Sequence, residues 1–121
     1  MPRLFTSQKT EDILKDLQNK TNLRPNILSR MAINLSLQQN FQVPKKEYDD
    51  NGFEFRKETL MGDYEILFKA LIAQRAGKQL SEQEFFPEYT KLHIENGISL
   101  LKSEYELAGN YEKFILNLMK K

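Results

Sequence analysis

From Pro25 onward, Ile27, Leu28, Met31, Ala32 and Leu35 recur at three- and four-residue spacing, with Ser36 on the same face, and the pattern runs to about Leu37. That spacing gathers them on one side of a helix, and such a face has to be buried against another element. Pro25 suits the first helical position, where its missing amide proton would have had no partner. It also disfavours helical geometry at Arg24, so the preceding element must stop short of it. That element is helical too: Thr6 or Ser7 can cap it, Glu11 and Asp12 sit at the positive end of its dipole, and Ile13, Leu14 and Leu17 form its apolar stripe. It is expected to end near Thr21 or Asn22, since Asn tolerates the left-handed stop. Pro2–Thr6 reads as a short strand with Leu4 inward and Arg3 and Phe5 on the other face.

The remainder continues in helices. Tyr48–Phe55 carries a hairpin signal, in which Asn51-Gly52 would supply the positive φ pair of a tight turn and Phe53 and Phe55 would share a face. Leu60, Tyr64, Leu67, Phe68, Leu71 and Ile72 predict a helix from about Thr59 to Ala76, stopped by Gly77. Ser81 and Glu84 match a capping box ahead of Phe85 and Phe86. Pro87 can open a helix bearing Tyr89, Leu92, Leu100 and Leu101 despite Gly97 within it, and a last helix from Asn110 carries Phe114, Ile115, Leu118 and Met119. With 40% hydrophobic and 29% charged residues in 121, the expectation is one mainly α domain: a basic strand-helix-helix module over residues 1–46, then a hairpin and helices over 47–121 for core and oligomer contacts.

The chemistry-bearing residues are sparse. No cysteine is present, which removes disulfides, thiolate metal sites and a cysteine nucleophile, and suits a reducing cytoplasm. His93 is the single histidine, so neither a multi-histidine metal site nor an imidazole relay can form. The five glycines are too far apart for a phosphate loop or a dinucleotide fingerprint. Asp49-Asp50 lacks further carboxylates at metal-ligand spacing and reads as a hairpin shoulder. Phe53, Phe55, Phe85, Phe86 and Tyr89 fit core or subunit contacts better than base stacking. The expectation is a protein without enzymatic activity, cofactor or metal. With no apolar run of signal-peptide or membrane-spanning length, it is expected to be cytoplasmic with no membrane contact.

Charge is the feature that points to a partner. Net charge is only +1, yet residues 1–46 hold eight basic side chains against three acidic ones, while residues 47–121 hold ten against fourteen. A basic front can neutralise a polyanion and gain free energy from counterion release, although a merely solvated helical surface would look the same. At the entry of the second helix, the free amides of Asn26 and Ile27 and the positive dipole end favour an anion, with Arg24 and the Asn26 side chain beside them. Lys20, Arg30, Lys45 and Lys46 could extend such a contact, and Arg3 and Lys9 complete the candidate DNA-binding set. The strand and two helices resemble ribbon-helix-helix proteins, in which paired strands enter the major groove.

A closer resemblance lies in Thr10-Glu-Asp-Ile-Leu-Lys-Asp-Leu-Gln-Asn-Lys-Thr-Asn-Leu-Arg-Pro-Asn-Ile-Leu-Ser-Arg-Met-Ala-Ile-Asn-Leu-Ser-Leu37, centred on Thr21–Arg30. This segment resembles the N-terminal signature of the DndE family of the bacterial DNA sulfur-modification (phosphorothioation) system. The resemblance implies a system that replaces a non-bridging phosphate oxygen by sulfur, with partner proteins supplying activated sulfur and ATP chemistry. It implies an accessory role here: binding double-stranded DNA, preferably nicked, through surface lysines on an oligomer, a tetramer being favoured. Lys20, Lys45 and Lys46 are the best matches to those lysines, whereas the role of Arg24 rests on helix-terminus physics. Two alternatives stay open at this level: a ribbon-helix-helix transcription regulator reading bases with Arg3 and Phe5, and a structural adaptor whose apolar faces hold other proteins of the complex.

Overall fold

The computed structural model describes residues 2–39 and 42–119. In chain order they form β1 (Arg3–Phe5), α1 (Gln8–Thr21), α2 (Pro25–Gln38), β2 (Glu54–Arg56), α3 (Lys57–Met61), α4 (Glu65–Ala76), α5 (Thr90–Ala108) and α6 (Tyr111–Met119). The fold is mainly helical, with one small antiparallel sheet of β1 and β2. No described helix is long and apolar enough to cross a membrane.

The first module forms as its residues dictate. Ser7 caps α1 by accepting from the Thr10 amide, and Asn22 ends it in the left-handed conformation at φ 63°. Ile13, Leu14 and Leu17 are buried, as are Leu28, Ala32, Leu35 and Ser36 of α2. Leu4 is fully buried between exposed Arg3 and Phe5. The distal helices obey their local signals as well. Ser81 and Glu84 form a reciprocal capping box: the Glu84 amide donates to Ser81 Oγ at 3.1 Å and the Ser81 amide to Glu84 Oε1 at 3.0 Å. That amide, with Lys78, holds the Glu84 carboxyl down at about 2. Gly77 closes α4 at φ 76°, and Asn110 caps α6 through the Lys113 amide.

Two expectations change. Asn51-Gly52 does not turn a hairpin: Gly52 lacks a positive φ, and the strand after it pairs with the chain's beginning, Leu4 opposite Phe55. The pairing is extended by Thr6, whose amide donates to Phe53 O at 2.9 Å and whose carbonyl accepts from the Gly52 amide at 2.8 Å. A Cβ on Gly52 would lie 2.2 Å from both Ser7 O and Thr6 Oγ1, so the glycine serves close backbone approach rather than turning. The helix expected over Thr59–Ala76 is interrupted by Gly62, at φ 55° and ψ −133°, with a single turn of tighter helix over Gly62–Tyr64. Restarting at Glu65 rotates the helical face. Phe68 and Ile72 stay buried, but Tyr64, Leu67 and Leu71 point outward together with Ile66. Pro87 does open the helical stretch that leads into α5: two helices meet at a kink at Phe86, which is extended as the residue before a proline prefers.

The centre of the molecule is α5, about 28 Å long at 1.5 Å per residue, which packs most extensively on α2 and also on α6 and α1. Its approach to α2 is very close: a Cβ on Gly97 would lie 1.8 Å from the Ala32 carbonyl oxygen. One turn away on each helix, Ser36 Oγ lies 2.7 Å from His93 Nδ1, and Asn96 Nδ2 donates to the same hydroxyl at 2.9 Å. Because the next turn of α2 meets the previous turn of α5, the helices run antiparallel. On the other flank, buried Glu95 accepts from the Ser7 amide (2.8 Å), Ser7 Oγ (2.6 Å) and Thr10 Oγ1 (2.7 Å). A carboxylate from α5 thus sits at the positive end of α1, satisfied by three donors.

Replacing Gly97 by Ala should destabilise the protein. The gain in helix propensity is about 1 kcal/mol, whereas forcing a methyl into backbone costs about 3 kcal/mol or more; Ser99→Ala on the exposed side is the control, and urea unfolding is the measurement. Burial lowers the His93 pKa to about 4, with Arg75 adding to the effect. The unfolded state therefore takes up a proton between about pH 6.5 and 4 that the native state refuses. Stability is complete above pH 6.5 and declines as pH falls through that window, by about 3 kcal/mol at most. A His93→Gln variant should show a flatter slope between pH 5 and 6.5 in denaturant titrations.

Candidate nucleic-acid interface

The eight basic and polar residues singled out from the sequence fall in four places. Arg3, on the exposed face of β1, pairs with Glu54 on β2, diagonally across the ladder. Lys20, in the last turn of α1, pairs with Asp16 at 2.9 Å and lies over the Tyr105 ring at 5.6 Å. Its hydrogen bond to Asp16 raises its pKa, which keeps it cationic.

The entry of α2 holds the third group, and its members divide. Arg24 occupies the cap position in extended geometry, exposed, and no side chain caps the helix. The first amides of α2 thus have no side-chain cap, and the exposed Arg24 charge stands beside them. Asn26 and Arg30 turn instead toward the end of α3. Arg30 Nη2 donates to Thr59 O at 3.1 Å, its Nε donates to Leu60 O, and Asn26 Nδ2 reaches Thr59 O at 3.5 Å. The guanidinium lies 5.9 Å from the Tyr64 ring centre and occupies the space a Cβ on Gly62 would need, 2.8 Å from that position. These two residues complete unpaired helix-end carbonyls, a packing role that the spacing of α2 alone does not reveal.

Lys9, Lys45 and Lys46 form the fourth group, and here the fold brings together residues far apart in sequence. Lys9 and Lys46 line one cavity of about 470 Å³ with Ser7, Thr10 and Tyr48 and with the acidic Glu47, Asp49 and Glu95. Lys45 and Lys46 line the adjoining one with Lys91 and Glu88. The loop carrying them is held down at several points. Lys91 Nζ donates to Asp49 O at 2.8 Å and pairs with Asp50 Oδ1 at 2.6 Å. Asp49 Oδ1 accepts from the Gln8 amide at 2.8 Å and the Asn51 amide at 3.0 Å. Those two amides hold the Asp49 carboxyl below its ordinary pKa. The Asp49-Asp50 pair is thus an anchor for the loop, joining it to the start of α1 and to α5. Lys45 lies 5.4 Å from the Tyr89 ring and Lys46 5.6 Å from the Tyr48 ring, contacts that orient flexible stems while leaving the ammonium groups exposed.

Lys91 and Tyr48 belong to this face and are not evident from the sequence, because Lys91 lies in the acidic half of the chain. The one available signal was the acidic pair itself, which needed a cation somewhere. Among the described residues no group of three His, Asp or Glu side chains is placed to hold a metal ion. The arrangement is suited to neutralising anionic charge along a surface.

Comparison with known proteins gives an identity to this arrangement. The family model described as DNA sulphur modification protein DndE matches residues 3–120. The crystal structure of DndE from Escherichia coli B7A, involved in DNA phosphorothioation modification, is similar with a TM-score of 0.69 and 26% identity, covering 84% of this chain and 96% of that one. A DndE glycine-to-lysine mutant involved in DNA phosphorothioation is similar with a TM-score of 0.66 and 26% identity, covering 85% and 98%. No curated protein matches the chain. With the model spanning nearly its whole length and the fold agreeing over most of it, the chain belongs to the DndE family of DNA sulphur modification proteins.

Proposed function

We propose that this protein is a non-enzymatic DNA-binding accessory subunit of the phosphorothioation system, which grips the duplex backbone, prefers nicked DNA and works as an oligomer, a tetramer, beside other proteins of the modification complex. The observation that carries the reading is the convergence of Lys9, Lys45 and Lys46 on one anchored, exposed surface. Exposed ammonium groups on a fixed loop bind phosphates with little ordering cost and read no base sequence. Arg24 at the uncapped α2 entry supplies a further phosphate contact. Arg3 and Lys20 are held in closer ion pairs than the 3.7 Å contact of Lys45 with Glu88 and contribute less, and Asn26 and Arg30 act through packing. A regulator of the ribbon-helix-helix type gains no support from β1, whose partner strand lies in its own chain.

The oligomer contact we assign to α4. Ile66 is 86% exposed and Leu67 54%, beside Tyr64 and Leu71. An outward apolar face on a helix already buried on its other side is what a subunit interface requires.

Titration with intact, nicked and single-stranded DNA at two salt concentrations tests the first part. The logarithm of the binding constant should fall steeply with log salt, and the Lys45→Ala/Lys46→Ala double variant should lower the slope by about 2. Binding that ignores salt would overturn the reading. For the oligomer, an Ile66→Glu/Leu67→Glu variant should keep the helical circular-dichroism signal yet sediment as a smaller species. An unchanged mass would place the interface elsewhere.

A further inference from the structure

Beside the two cavities of the lysine surface lies a third, of about 370 Å³, whose polar side chains are rich in donors. Arg75, Lys45, His93 and Gln42 face it, Tyr89 and Leu92 form part of its apolar wall, and no carboxylate is among its described lining residues. Its volume falls within the range of about 300–1,000 Å³ typical of small-molecule sites. Lys45 also lines the neighbouring cavity, so the two are continuous with one surface.

The donors keep capacity for a ligand. Arg75 uses Nη2 to hold Leu37 O at 2.7 Å, while a guanidinium carries five N–H donors. Gln42 gives one amide hydrogen to Ala76 O at 3.2 Å and has a second. Lys45 has only the exposed Glu88 at 3.7 Å as ionic partner.

One ring nitrogen of neutral His93 carries a proton and the other accepts. Nδ1 lies 2.7 Å from Ser36 Oγ, a hydroxyl that also accepts from Asn96. In the tautomer in which Ser36 donates to Nδ1, Nε2 carries the proton and is the donor a ligand meets. Burial, which depresses its pKa, keeps it neutral at physiological pH.

Two cations, an imidazole N–H and an amide N–H match a doubly charged tetrahedral oxyanion with three terminal oxygens better than a single carboxylate. The apolar wall and the spare volume call for an organic group attached to it. We infer that this cavity binds a phosphate monoester of the nucleoside 5′-phosphate class. The ligand's dianion meets Arg75 and Lys45, His93 Nε2 and Gln42 donate to its oxygens, and the sugar or base lies against Tyr89 and Leu92. Such a group has two sources, a free mononucleotide or the 5′-phosphorylated end exposed at a nick. The second rests on the duplex-binding reading above, because an unbroken backbone contains only phosphodiesters.

The experiment uses the full chain and calorimetric titration with deoxyadenosine 5′-monophosphate, deoxyadenosine and inorganic phosphate. It then compares nicked duplexes bearing 5′-phosphate or 5′-hydroxyl. The monophosphate should bind saturably and the nucleoside should not. Loss of a charged hydrogen-bond donor should weaken it about tenfold in Arg75→Met, and Lys45→Met, at an exposed position that tolerates change, should weaken it as well. Thermal unfolding of both variants verifies that they fold. Equal response to nucleoside and monophosphate, or wild-type affinity in the folded variants, overturns the inference.

If the monophosphate binds and the 5′-phosphorylated nick is preferred over the 5′-hydroxyl one, the nick is a source of the ligand. If it binds and the two nicks are equivalent, the cavity stands with a free mononucleotide as its ligand. DNA binding without any monophosphate response removes the cavity and leaves the duplex reading intact. Monophosphate binding without DNA binding does the reverse.

Discussion

The contact between Gly97 of α5 and the Ala32 carbonyl of α2 sets the geometry of this protein. At that point two helices approach until a single methyl group would have no room, so every neighbouring residue must be arranged around it. Small side chains on α2, Ser29, Ala32 and Ser36, are fully buried there. Close approach strengthens dispersion but also strands polar groups away from water, where an unpartnered group is costly, and Ser29 Oγ is left without a hydrogen-bond partner among the described residues. Ser36, His93 and Asn96 partner one another on one side of the crossing. Glu95 with Ser7 and Thr10 does the same on the other, tying the start of α1 to the same helix. One helix thereby positions the first strand, the first two helices and the loop that crosses it.

The cationic surface depends on that framework. Lys91 projects from α5 and binds the loop at Asp49 and Asp50, and Asp49 in turn holds the first amide of α1. Lys9 at one end of this chain of bonds and Lys45 and Lys46 at the other are held on a common face without touching. Their charges repel, and the protein pins the backbone rather than the ammonium groups. That arrangement suits a polyanion, since the repulsion is relieved when phosphate arrives and counterions leave.

Several features were legible in the residues. Ser7, Asn22, Gly77, the Ser81 to Glu84 box and Asn110 each determine an element's end by satisfying or releasing backbone groups within a few residues, so no distant partner is needed to read them. The family signature around Thr21–Arg30 lies at one such boundary. Other features were not legible. Gly52 carries the mark of a turn, yet its value is the space it leaves for Thr6 and Ser7, some 45 positions away. Gly62 breaks a helix whose apolar spacing is otherwise continuous, because Arg30 fills the place of a side chain. Asn26 and Arg30 hold the Thr59 and Leu60 carbonyls, contacts that their spacing along α2 does not record.

By itself, the sequence determined that this protein is mainly helical, where its first two helices begin and end, which residues of α1 and part of α2 face inward, with Ser29 and Ile33 missed, and which family it resembles. The structural properties among these follow from periodicity and from capping, which act over one or two turns, while the family follows from the likeness of one segment. Only the tertiary structure decided which strand β1 pairs with, that α4 turns an apolar face outward, and that Lys9, Lys45, Lys46 and Lys91 share a surface. Strand pairing and charge convergence depend on contacts between residues tens of positions apart. A local pattern carries no record of which distant backbone will take up its hydrogen bonds.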